Sequence, residues 1–357
     1  MQYYMTRGTI KLLFILLLFT SACSKKSNNP DESVPKNQEE YLTGYFFGIS
    51  PTYNHTIPNQ EFQDYIDMGI RSLRVHYQDR FDDTAFETVI KQCVAEDIEV
   101  MMLVSYESYP STSVEEVPPW GGTRYRYTNA SHLVDKLYEI VPRFRALGVH
   151  AWEIWNEENG LWYIPEAEFA LLMASIYEKF KFTEKWDTTA TIILGGLDAS
   201  AGPWDVTGSN DAAKEYLKTV YATQVIRNFK NKYGRSPFDA IAVHPYNTEI
   251  KIKFDHNIDD VCLSNMAANG DESMPLWITE LGDASTNDKT QADRLEIYVK
   301  AALEHPRIAR LHWFKYTYPG GDANQYYSIV MADGRHREAF ARYAQLIEQA
   351  NNGELIY

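Results

Sequence analysis

Cysteine is scarce in this chain of 357 residues, which has only Cys23, Cys93 and Cys262. With Cys23 outside the folded part, that part can form at most one disulfide, and no spacing suits a metal-binding cluster. Cys93 and Cys262 are expected to be buried thiols on helices. Basic charge is also short. Thirty-four Lys and Arg face 49 Asp and Glu, a formal net charge of −15. That balance argues against nucleic acid or an anionic bilayer face as a partner, because both call for basic patches, and it favours neutral or uncharged substrates. No repeat of fixed period is present, which excludes solenoids. The one long apolar run, residues 12–19 (LLFILLLF), is too short to span a bilayer as a helix.

That run reads instead as the core of a signal peptide, flanked by Arg7 and Lys11. The Thr20-Ser21-Ala22-Cys23 that follows resembles a bacterial lipobox, in which cleavage before the cysteine frees its thiol for lipid attachment. Residues 1–22 are therefore expected to be a lipoprotein signal. Residues 23–40 are polar after the cysteine, with two prolines and no aromatic, and are expected to be a lipid-anchored flexible tether. This places the protein in a bacterial cell envelope, touching membrane only through Cys23. Residues 41–357 remain for one folded domain.

Within that domain, short apolar runs alternate with stretches of helical period. The runs at 45–50, 72–76, 99–106, 151–156, 191–197, 240–245, 276–280 and 308–316 predict eight strands, most of them nearly continuous apolar runs, as strands buried on both faces must be. Helical stretches begin near Asn59, Asp82, Ala130, Pro165, Asp211, Ile258, Lys289 and Arg337, and Gly69, Gly148, Gly234 and Gly353 sit where helices should stop. Eight βα units in this length predict a (β/α)8 TIM barrel as a single catalytic domain. Active sites of such barrels gather at the C-terminal ends of the strands. The longest loop on that face, 107–128, carries Tyr109, Trp120, Tyr125 and Tyr127 and is expected to line substrate.

Two carboxylates fall on the rim so defined. Barrel strand four ends in Trp152-Glu153-Ile154-Trp155-Asn156-Glu157-Glu158-Asn159, and strand seven ends in Leu276-Trp277-Ile278-Thr279-Glu280-Leu281-Gly282. Carboxyl groups on strands three steps apart can confront each other across an opening the size of a sugar ring. Retaining cleavage of a glycosidic bond needs that arrangement, one group attacking the anomeric carbon while the other protonates the leaving oxygen.

The WEIWNE and WITELG runs resemble the strand-four and strand-seven signatures of clan A glycoside hydrolases, most closely family 39 and its bacterial exopolysaccharide-cleaving relatives. Gly195-Gly196, the FDAIAVHPY run at 238–246 and the YSIVMADGR run at 327–335 extend the likeness over most of 45–348. The resemblance implies a retaining hydrolase of a β-linked poly- or oligosaccharide, without cofactor or metal. It makes Glu157 the acid/base and Glu280 the nucleophile, and gives Asn156 a bond to the sugar 2-hydroxyl. Arg74 and Tyr246 would hold the nucleophile ionised, and His244 and Trp313 would complete the substrate-binding set, with Phe314 and Tyr316 competing for the platform position of Trp313. The chain departs from the pattern at Glu158, where the family has proline. Glu153 is expected to be structural, paired with Arg74 or Lys315.

Three other readings deserve comparison. A metal-dependent hydrolase would use His76, His244 and His312, but the first strand lacks the usual H-x-H pair. A phosphate-binding barrel would want an anion nest, for which Pro319-Gly320-Gly321-Asp322 is poorly suited. A surface glycan-binding protein that has lost turnover would keep the aromatic cleft, yet both carboxylates are present here. Endo action is favoured over exo, since a tethered enzyme must shorten polymers before import, and the 107–128 loop, Trp162, Tyr163 and Trp204 could supply subsites.

Overall fold

The structure, a computed structural model, describes residues 44–116, 124–199, 211–246 and 254–355. Cys23 and the stretches expected to be signal and tether lie outside them, as do Trp120 and Trp204. Eight parallel strands close into a barrel: β1 (Phe47–Ile49), β2 (Ser72–His76), β3 (Glu99–Val104), β6 (Ala151–Ile154), β7 (Thr191–Asp198), β8 (Ala240–His244), β9 (Leu276–Leu281) and β10 (Ile308–Trp313). Sequential barrel strands are neighbours throughout, and β10 closes on β1 with Gly48 opposite His312. The expected (β/α)8 barrel is the fold found.

Around it run α1 (Asn59–Met68), α2 (Asp83–Ala95), α3 (His132–Ala146), α4 (Glu166–Lys181), α5 (Asp211–Ala222), α6 (Gln224–Tyr233), α7 (Ser264–Ala268), α8 (Asp288–Glu304) and α9 (Glu338–Asn351). Asp82 and Asn287 cap α2 and α8 by accepting backbone N–H groups of Thr84 and Thr290, and Gly69 and Gly234 end α1 and α6 in the left-handed region. The stretch read as one helix from Asp211 is two, because Thr223 is extended and caps a second helix through Ile226 N–H. The helix expected near Ile258 opens as a π-helix (Asn257–Leu263) that runs into α7.

Strand alternation divides the core. Leu73, Val75, Ile154, Ile192, Leu194 and Ile278 face the helices in the main apolar layer. Inside the barrel lies a smaller cluster that includes Met101, Ala151, Ile193, Ala242 and Trp277. Each of the Val, Leu, Ile and Met side chains contributes roughly 1.5–3 kcal/mol on burial. Cys93 on α2 and Cys262 on the π-helix are free and buried, their thiols pushed up to about 12 by desolvation, so both are structural.

The long loop after β3 is not wholly irregular. It folds as an antiparallel hairpin of β4 (Thr112–Glu116) and β5 (Arg124–Thr128). A ladder of stacked rings ties the hairpin to the barrel: Tyr127 on Tyr106, Tyr106 on Trp162 and Trp162 on Tyr125, with centroids 4.5, 4.8 and 5.9 Å apart. No helix among the described residues is long and apolar enough to cross a membrane.

Candidate active site

Arg74 organises the strand ends from the inner face of β2. It is 5% exposed, and its three nitrogens are all engaged: Nε donates to Glu153 at 2.6 Å, Nη1 to Glu280, and Nη2 to Asn156 Oδ1 at 2.7 Å. Only a planar fork can serve three acceptors on two neighbouring sides at once. Glu153, read from sequence as structural, is fully buried and takes a second bond from Thr279 Oγ1 at 2.6 Å. Tyr246 donates to the other oxygen of Glu280 at 3.0 Å.

A chain of hydrogen bonds runs from there to the second rim carboxylate. Thr279 spends its proton on Glu153, so its oxygen must accept from His244 Nε2–H, 3.0 Å away. His244 Nδ1 is then a bare acceptor, and it lies 3.2 Å from Glu157 Oε1. The arrangement is satisfied when Glu157 carries a proton. Burial favours the same state: it pushes Glu157 up to about 8, the Glu280 charge adds to the shift, and Arg74 opposes it. Burial also pushes His244 down, which keeps the imidazole neutral.

Glu280 behaves oppositely. Burial disfavours its ionised form, but His244, Arg74 and the Tyr246 hydroxyl outweigh burial and hold the carboxyl below its ordinary range. Because His244 is neutral at pH 7, Arg74 and Tyr246 supply most of that support. One oxygen of Glu157, one of Glu280 and a nitrogen of His244 all lie within 4.8 Å of one another. Two carboxyl groups side by side, one protonated and one ionised, are the pairing from which acid and nucleophile roles are built.

The loop bearing Glu157 is held from beneath. Trp155 and Glu157 have φ of 81° and 49°, in the left-handed region that side chains avoid. Trp155 N–H donates to the Val104 carbonyl at 2.8 Å, and Gly196 clamps the next turn of chain: its carbonyl accepts Glu157 N–H at 3.0 Å, and its N–H donates to Glu158 Oε2 at 3.1 Å. Glu158 is thus a buried side chain folded under β7, and burial pushes it up to about 8. Both glycines of β7 are required. A Cβ on Gly195, itself at φ 47°, would lie 2.2 Å from the Glu158 carboxyl, and one on Gly196 would lie 2.5 Å from His244.

The pocket above Glu280 encloses about 110 Å³ and includes Ser50, Asn54, Arg74, His76, Tyr106, Asn156, Phe314 and Lys315 in its walls. Of the residues singled out from sequence, the structure brings Arg74, Asn156, Glu157, His244, Tyr246 and Glu280 together. Trp313 differs from its expected place. It is fully buried in the layer between barrel and helices, and Phe314, one residue later, lines the pocket instead, across a cis peptide to Lys315. Side chains alternate along a strand, so a register error of one turns a platform into core. Asn54, His76 and Lys315 escaped the sequence reading as pocket residues. His76 had been weighed only as a metal ligand, and nothing in the local pattern marks Asn54.

Glu157, His244 and Glu280 are spaced so that an ion could reach all three, but Glu280 already accepts from Arg74 and Tyr246, and His244 Nδ1 faces a protonated acid. Those donors suit proton chemistry better than a cation. His76 and His312 do not join the group: His76 pairs with Ser105 at 2.8 Å and His312 with Ser72 at 2.9 Å inside the barrel.

Barrel and rim together define a (β/α)8 barrel with two carboxylates facing each other at the C-terminal ends of its strands. Residues 206–343, which contain Glu280, Tyr246 and His244, match the family described as glycosyl hydrolase catalytic core. No curated protein matches the chain in sequence. Among solved structures, a fungal β-1,4-galactanase superposes with a TM-score of 0.57 at 12% identity, over 84% of this chain and 99% of that one. A family 30 endoxylanase from Clostridium papyrosolvens gives 0.58 at 12% identity, covering 85% and 72%. A GH5_18 protein from Bifidobacterium longum, solved with Manβ1-4GlcNAc, gives 0.58 at 11% identity, covering 87% and 80%. At such identities the likeness is one of fold.

Proposed function

We propose that the protein is a retaining glycoside hydrolase acting on a β-linked poly- or oligosaccharide. The observation that carries this reading is that one oxygen of Glu157 lies within 4.8 Å of one oxygen of Glu280, in surroundings where burial favours the protonated form of Glu157 while Arg74 and Tyr246 favour the ionised form of Glu280. Retaining enzymes hold their carboxyl groups about 5–5.5 Å apart, and inverting ones leave about 6.5–9.5 Å for a water between them. In the first step Glu280 attacks the anomeric carbon as the glycosidic C–O bond breaks, and the Glu157 proton passes to the departing oxygen. In the second, Glu157 takes a proton from water, the hydroxide oxygen bonds to the anomeric carbon, and the Glu280 ester linkage breaks. Asn156, oriented by Arg74, would hold the 2-hydroxyl.

Support for endo action comes from an open cavity of about 700 Å³ next to the pocket, walled by Tyr106, Tyr109, Tyr127 and Trp162 and sharing Tyr106 with it. It has room for further sugar units against aromatic faces. On the resemblance stated above, family 39 and its exopolysaccharide-cleaving relatives are the proposed kin. The lipobox at Cys23 makes the cell envelope the proposed location, with lipid at that residue anchoring the enzyme.

A polysaccharide panel with product sizing tests the activity, and NMR of the first anomer released tests retention. Glu280→Gln should abolish turnover with the fold intact, a loss of roughly three orders of magnitude or more. Glu157→Ala should slow poor leaving groups far more than activated aryl glycosides. Unchanged activity in both variants refutes the assignment, an inverted product removes the nucleophile role of Glu280, and retention of glycans without turnover by wild type points to a binding protein.

A further inference from the structure

The pocket holds two cations, and they are used differently. Arg74 has committed its donors to Glu153, Glu280 and Asn156. The Lys315 side chain, which follows β10, makes one hydrogen bond, from Nζ to the Thr52 carbonyl at 3.3 Å; its ammonium lies 5.4 and 5.7 Å from the ring centroids of Phe314 and Tyr318, and among the described residues no carboxylate is within ion-pair distance of it. An ammonium has three protons to give, so two remain for whatever enters. The side chain is mostly buried, and burial pushes its pKa down, with Glu280 and Glu61 pulling it back from farther away. Glu61 is itself occupied by Thr52 N–H and the Tyr65 hydroxyl. A desolvated ammonium held by one carbonyl and two ring faces, with no anion in contact, gains most from an anion, whose charge-assisted bonds are about twice as strong as those to a neutral hydroxyl.

Placement says which part of a substrate would meet it. Lys315 follows β10, beside β9 and its Glu280, whereas Glu157 stands on the far side of the barrel mouth at the end of β6. The leaving group departs on the Glu157 side. The ring whose anomeric carbon is attacked therefore extends toward β10, β1 and β2, where Lys315, Asn54 and His76 form the wall. Lys315 addresses a substituent of that ring, away from the reacting oxygen.

We propose, on the hydrolase reading above, that this pocket takes a sugar ring carrying an anionic group, a uronic-acid carboxylate or a sulfate ester, with the Lys315 ammonium as its counter-charge. This runs against the neutral substrate favoured by the overall charge of −15. Local geometry outweighs the total, because charges beyond about 8 Å are screened at physiological salt while a buried contact is not.

The test compares matched glycans that differ only in the anionic group: β-glucan with β-glucuronan oligosaccharides, and galactan oligosaccharides with their 6-sulfated forms. Retention is measured on an array with Glu157→Gln, which slows cleavage without changing the charge of a group that is protonated in the free protein. Acidic glycans should bind at least tenfold more tightly than their neutral partners. Adding Lys315→Gln should erase that preference, and Lys315→Arg should restore it. The uronate and sulfate arms report which anion is read. Equal binding of neutral and acidic partners, loss of both alike in Lys315→Gln, or failure to retain any acidic glycan overturns the proposal. Wild-type hydrolysis on the same panel separates the two readings. Binding of acidic glycans without cleavage sinks the hydrolase alone, and cleavage of neutral glycans indifferent to Lys315 sinks the anion site alone.

Discussion

At the scale of single residues, the site is a set of protons whose positions are fixed by elimination. Arg74 can only donate, so Glu153 and Glu280 must accept; Thr279, donating to Glu153, must accept from His244; and His244 is left to accept from Glu157. The consequence is a bell-shaped dependence of kcat/KM on pH. The alkaline limb should fall through about 8 as Glu157 loses its proton, and the acid limb should lie below the ordinary carboxylate range, where Glu280 becomes protonated. Replacing His244 by Phe removes the acceptor that favours the protonated acid and should move the alkaline limb downward, whereas a purely structural role would lower activity without moving it. A pH-rate profile of the two proteins decides between these.

At the scale of elements, the barrel was legible because most strands bury both faces and so write nearly continuous apolar runs, with helices between them bounded by capping residues such as Asp82 and Asn287. The rim carboxylates were legible for the same reason, since strand ends fix rim positions. The hairpin β4–β5 was not. Thr112–Glu116 is largely exposed, with an alternation too weak to distinguish it from loop, and its anchor is a ring stack assembled from three separate segments. At β10 the sequence left Trp313 and Phe314 in competition, because a shift of one residue exchanges core for pocket and the apolar pattern there does not fix the register. The paired glycines of β7 were noticed, but their reason lies in neighbours distant in sequence. Gly196→Ala would drive a methyl group into His244, and it should cost activity by at least tenfold even where circular dichroism and thermal midpoint show a folded barrel.

At the scale of the whole molecule, the buried acids link stability to pH. Glu157 and Glu158 titrate near 8 when folded, against about 4.3 for a free glutamate, so the folded chain holds extra protons across that window and loses stability as pH rises through it. His76 and His312, pushed to about 3 by burial, act in the opposite sense, but only below about 6.5, where unfolded histidine takes up its proton. Between pH 6.5 and 8 the loss from the two acids should dominate. Calorimetry should find the thermal midpoint falling over that interval, with Glu158→Gln, which cannot ionise, showing a shallower decline. The left-handed backbone at Trp155 and Glu157 bears on stability as well, at roughly 1–2 kcal/mol for each residue. Laboratory selection for heat resistance alone would find easy gains by relaxing this short stretch, and those gains would come at the expense of turnover. Screens for a sturdier protein should therefore assay both properties in every round, because in the segment between β6 and α4 robustness and chemistry draw on the same few torsion angles.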